Sequence, residues 1–156
     1  MRSEPYLRFK RTRDERTLHF TGLFRNTIKA TCDVVARAGT GEGAFLVVLP
    51  IAVDPDRHAA FNDWVNVMLP QAVQAPNVVA AAYAEHNGVT RETAAAHDVR
   101  TGDRHLESVL LIEAASERGV THAMSCLRVD ALEQHGARLQ IVEQPCIFRV
   151  LYTLHA

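Results

Sequence analysis

Histidine, tyrosine, glutamate and arginine side chains can move protons or hold anions, and their spacing decides which of them can act together. Eight histidines stand in the chain, and His86, His97 and His105 flank one polar stretch. Ten and seven residues separate them, which matches no metal-ligand spacing, and no carboxylate is fixed beside them, so no metal site is expected. His122 and His135 read as solvent-facing positions of a helix. Tyr83 and Glu85 are two apart in an apolar run and share one face of a strand. They make either a phenol–carboxylate pair in a cleft or an ordinary cross-strand surface pair. Arg149 alternates with Ile147, Leu151 and Thr153. It either lays its stem over a sheet edge or meets an anionic ligand or a carboxylate of a second copy. Gly39, Gly41 and Gly43 suggest a phosphate loop. They precede a strand and not a helix, however, so no helix N-terminal amides are presented and the reading fails. No G-x-S-x-G elbow and no paired His–Cys arrangement occurs.

The elements that must position these groups are legible in the pattern. Leu23, Phe24, Ile28, Ala30, Cys32, Val34 and Val35 fall mostly at helical spacing, so a helix is expected up to the glycines. Residues 44–53, "AFLVVLPIAV", read as a strand buried on both faces, with Pro50 marking an edge or a bulge. Asp54 is a natural N-cap and Pro55 suits a first helical position. Phe61, Trp64, Val65, Met68 and Leu69 then form one apolar stripe, with His58 in the first turn at its edge and Pro70 breaking the end. Strands are expected at 77–86, closed by Asn87–Gly88, and at 105–114. A second long helix should run up to Gly136, and a last strand interrupted near Pro145 should follow.

The resulting order, β-α-β-β-α-β, is the ferredoxin-like α+β arrangement. Residues 1–43 read as a basic arm and extra helix, and 44–156 as the ferredoxin-like domain. Such a sheet carries its helices on one face, yet strands 44–53, 77–84 and 108–112 are apolar on both. Something must cover the second face, either a second copy of the sheet or the N-terminal helix.

Bulk composition narrows the partners. Seventeen Lys and Arg against eighteen Asp and Glu give a net charge of −1, with no global attraction to nucleic acid or to an anionic membrane. The locally basic stretch 2–16 is read as a solvated arm. Three widely spaced cysteines (Cys32, Cys126 and Cys146) without a C-x-x-C behave as small hydrophobes in a reducing compartment, and a cytoplasmic location is expected. No apolar run reaches the roughly 20 residues that span a bilayer.

The stretch 46–86, from the first strand through "FNDWVNVMLP" to "PNVVAAAYAEH", resembles the dimeric α/β-barrel superfamily, which includes EthD-like proteins and antibiotic-biosynthesis monooxygenases. Phe61, Trp64, Leu69, Pro70 and Pro76 carry the resemblance, and the matching motif lies within residues 44–77. The resemblance implies a homodimer of ferredoxin-like units with facing sheets and clefts that take small aromatic or polyketide-like molecules, lactones or haem. It turns Trp64 and Met68 towards the cleft. Relatives commonly hold a histidine at the position of Met68, whose thioether moves no proton; His58 is the imidazole nearest to replacing it. The expected function is therefore binding of a small hydrophobic ligand by a homodimer, without a cofactor and without an evident catalytic residue. His58, Trp64, Met68, Tyr83 and Arg149 are its candidate lining. The alternative is a cofactor-independent oxygenase or isomerase acting on a small hydrophobic or aromatic substrate.

Overall fold

The computed structural model describes residues 15, 16, 19, 30–88, 106–140 and 145–150. Ala30–Asn87 and the chain from Leu106 onward form one compact unit. Its elements are β1 (Cys32–Gly39), β2 (Phe45–Val53), α1 (His58–Ala72), β3 (Val78–His86), β4 (Ser108–Ala114), α2 (Glu117–Cys126), α3 (Val129–Gln134), β5 (Ala137–Leu139) and β6 (Cys146–Arg149). The six strands make one sheet in the order β1-β3-β4-β2, with β5 and β6 both paired to β2 and every pairing antiparallel. This mixed α+β architecture is compatible with the ferredoxin-like arrangement, to which β1 adds an edge strand beside β3.

The helix expected before the glycines is, over Cys32–Gly39, the strand β1. Alanine and arginine favour a helix in isolation, but Val34 and Val35 are β-branched, and pairing with the open edge of β3 outweighs weak helical propensity. A bulge between Val34 and Ala36 leaves Val35 out of register, which blunts this edge against pairing with another chain. Residues 22–29 of the expected helix lie outside the described residues.

The glycines that follow have a geometric task. β1 and β2 are separated in the sheet by β3 and β4, so the link between them must cross the ends of both. Gly39 adopts φ +76° against the Val79 carbonyl, and a Cβ on Gly43 would lie 2.6 Å from the Ala114 nitrogen. Only a chain without side chains passes this close to two backbones.

β2 is central rather than an edge strand. Pro50 is tolerated because its neighbour is interrupted: β5 pairs with Ile51–Val53 and β6 with Phe45–Val48. The Pro50 carbonyl accepts from the Gln140 N–H at 2.9 Å, so the missing N–H points to the same side, between the two segments. The strand expected near Pro145 is thus two short segments, with residues 141–144 outside the described ones. α1 continues through Pro70 to Ala72, because proline sits in its last turn on an exposed side where the freed carbonyl meets solvent. The second helix is two pieces, α2 and α3.

Val47, Leu49 and Ile51 of β2, Ala81 and Tyr83 of β3, and Leu110, Ile112 and Ala114 of β4 share one face of the sheet. They form the core with Phe61, Val65, Met68, Leu69 and Ala72 of α1 and Val120, Ala123, Leu127 and Leu132 of α2 and its continuation. The stripe expected on α1 is therefore the packed one. The other face carries Leu46, Val48, Ala80, Ala82, Ala84, Val109 and Leu111, apolar as the pattern predicts. No helix among the described residues is long and apolar enough to cross a membrane.

Candidate functional site

Two of the side chains expected to act, His58 and Tyr83, are brought together by a third, Glu85. Asp54 accepts from the Asp56 N–H at 3.1 Å and caps a 3-10 turn, Pro55–Arg57, which delivers His58 as the first residue of α1. Strand alternation puts Ala81, Tyr83 and Glu85 on the helix-covered face of β3. His58 Nε2 lies 2.8 Å from Glu85 Oε1, the two side chains being 45% and 26% exposed. The carboxylate accepts, so Nε2–H donates, and Nδ1 faces the side-chain amide of Asn62, with Nδ2 at 3.5 Å. Among the described residues, Asn62 Oδ1 is buried without a hydrogen-bond partner.

Behind Glu85, Tyr83 is fully buried, with its hydroxyl 3.4 Å from Ser108 Oγ. Its ring meets Phe61 edge-on at 5.4 Å. Burial pushes the Tyr83 phenol well above its ordinary value; the Ser108 hydrogen bond opposes that rise and the Glu85 carboxylate adds to it. Tyr83 is therefore a neutral, buried support for Glu85 and not a proton donor to solvent. Ser108 was missed by sequence reasoning because nothing local marks it; its role follows from the register that sets it beside Glu85.

The remaining candidates are dispersed. Met68 is 6% exposed and packs in the core. Trp64 lies half-buried over the same core, with its ring 5.4 Å from Phe61 and stacked on His135. His135 is thus a packing partner just after α3, not a free surface residue, and His122 Nδ1 sits 2.9 Å from the Pro76 carbonyl. Arg149 is exposed on β6 opposite Phe45, whereas Glu85 aligns through Ser108 with Ile51. Six residues of β2 separate those rows, about 20 Å along the strand. His97 and His105 lie outside the described residues. Cys32 and Cys146 are free and half-buried, and burial followed by the Asp33 charge pushes the Cys32 thiol up, away from the reactive thiolate. Among the described residues, no three His, Cys, Asp or Glu side chains are gathered as a metal ion needs.

A separate feature occupies the sheet face opposite α1, α2 and α3. Ala80 and Ala82 of β3 present methyl groups there, between larger side chains of β1 and β4. The result is a trough of about 300 Å³ lined by Val34, Arg37, Ala80, Ala81, Ala82, Leu111 and Glu113. Register places Arg37 opposite Ala82 and Glu113 opposite Ala80, so cation and carboxylate stand on the two walls. Glu113 is held in place by accepting the Gly43 N–H at 3.0 Å. Among the described residues no ion pair engages Arg37. The trough can take a small, mostly apolar molecule and orient its polar ends. Sequence reasoning missed Arg37 and Glu113, because their convergence over Ala80 and Ala82 follows from strand register and not from any local pattern.

No protein-family model matches the chain, and comparison with curated proteins and with solved structures found no significant match.

Proposed function

We propose that this protein binds a small organic molecule on the sheet face opposite α1, and that a second copy covers that face in the manner of a dimeric α/β barrel. The observation that supports the reading is the alanine-floored trough between Arg37 and Glu113. The dimer is supported by apolar side chains left exposed on both sides of the same face, Val34 at 62% and Phe148 at 52%. Two facing sheets would bury them and close the trough over its ligand.

The test combines light scattering with thermal shift against small aromatic compounds. Dimeric mass and a ligand-dependent rise in Tm are expected, since binding to the folded state alone stabilises it. Ala82→Leu, which fills the trough, should abolish the rise while leaving the unliganded Tm close to that of the parent. A monomer at micromolar concentration removes the dimer, and an Ala82→Leu protein that still responds removes the trough.

A second reading, cofactor-independent proton transfer in an isomerase or oxygenase, is favoured by the His58–Glu85 pair. Glu85 orients the ring by accepting from Nε2–H, so in the neutral imidazole Nδ1 is the basic nitrogen. The pair lies on the opposite face of the sheet from the trough, so its substrate would approach α1 instead. Nitrogen-15 NMR of the His58 ring decides it: an Nδ1–H tautomer leaves no base there.

A further inference from the structure

The trough has two chemically different ends, and together with its size they restrict what it takes. On the reading that it is a ligand site, we infer that its ligand is a single-ring aromatic carboxylic acid carrying a hydroxyl or amino donor on the side opposite the acid group. Four observations support the assignment.

Size comes first. At about 300 Å³ the trough stands at the lower end of the roughly 300–1,000 Å³ range of small-molecule sites, which suits a single-ring molecule rather than a larger one. The floor comes second. Ala80, Ala82 and Leu111 offer no hydrogen-bonding side chain, so the body of the ligand is apolar, and the shallow methyl floor favours a flat ring over a branched chain.

Third, Arg37 stands on an exposed edge strand with its guanidinium committed to no carboxylate among the described residues. Its planar fork matches a carboxylate through two parallel hydrogen bonds. Fourth, Glu113 repels a second anionic group and accepts a donor. One of its oxygens already receives the Gly43 N–H, which fixes the orientation of the other. Two strand spacings and a two-residue offset put the Cα atoms of Arg37 and Glu113 about 12 Å apart, far enough for one ring with a substituent at each end to lie between the side chains.

The assignment is tested by calorimetric titration of para-hydroxybenzoate, its neutral amide para-hydroxybenzamide, and unsubstituted benzoate. Parent, Arg37→Gln and Glu113→Gln proteins are compared, each checked by its unliganded Tm. The acid should bind at least about tenfold tighter than the amide, and Arg37→Gln should remove that advantage while leaving the amide unchanged. Glu113→Gln should weaken para-hydroxybenzoate but not benzoate. Equal affinity for acid and amide, or an Arg37→Gln protein that keeps the preference, overturns the ligand class and leaves the binding site standing. No heat from any of the three compounds overturns the site and the class together.

Discussion

The imidazole of His135 lies flat against the indole of Trp64, with ring centroids 4.6 Å apart and planes 14° from parallel. The stack belongs to a seam joining the start of α1 to the turn after α3. In the same seam Arg57 Nη2 donates to the Gln134 carbonyl at 2.7 Å, and the Asp54 N–H donates to the Gly136 carbonyl at 2.8 Å. Because the chain has one tryptophan, its fluorescence reports this seam alone. His135→Ala should move the emission to longer wavelength as water reaches the indole, and cost about 0.5–1.5 kcal/mol in chemical denaturation. An unshifted emission and an unchanged denaturation midpoint in that variant would show that the stack contributes nothing to the seam.

Tyr83 ties stability to alkaline pH. Its folded-state value is raised, so above the ordinary tyrosine value of about 10 the folded chain keeps a proton that the unfolded chain releases. Stability contributed by the neutral phenol is complete below that pH and falls as pH rises, by at most about 1.4 kcal/mol per pH unit. Denaturant midpoints taken across this range should decline less steeply in Tyr83→Phe. At neutral pH the same substitution should cost about 1 kcal/mol, since Ser108 loses its partner in a buried position. Parallel alkaline slopes for the two proteins would refute the linkage.

Two glycines with the same left-handed φ of +76° separate strain from collision. At Gly88 a Cβ would meet nothing within 4 Å among the described residues, so Gly88→Ala should cost about 1 kcal/mol, chiefly backbone strain. At Gly39 the added carbon would run into the Val79 carbonyl and lie 2.9 Å from the Ala80 Cα, and neither backbone group can turn aside. Gly39→Ala should therefore cost at least about 2 kcal/mol more, measured by urea unfolding. Equal losses at the two sites would mean that the β1–β2 crossover is looser than its geometry indicates.

Patterns that repeat within one element were readable from the sequence. The stripe Phe61–Trp64–Val65–Met68–Leu69 is the packed face of α1, and the apolar runs at 44–53, 77–86 and 105–114 became β2, β3 and β4. Patterns that span elements were not. Arg37, Ala82, Leu111 and Glu113 converge only once register is set, and nothing local marks a strand of alanines as the floor of a trough. Cys32–Gly39 misread as helix for a related reason, because the edge of β3 that turns it into a strand is remote in sequence. The His58–Glu85 contact was half legible: alternation placed Tyr83 and Glu85 on one face, but which helix residue lay above them depended on where α1 begins.

The crossing of the glycine-rich link over two strand ends also fixes an order of events during synthesis. β1 is the first described strand to leave the ribosome, yet its nearest partner in the ladder, Ala80 opposite Gly39, lies 41 residues downstream. Pairing this distant carries a high loop-closure cost. Arg37 thus gains the opposite wall of its trough only after Glu113 has also emerged, so a nascent chain carries the recognition residue long before it has anything to recognise.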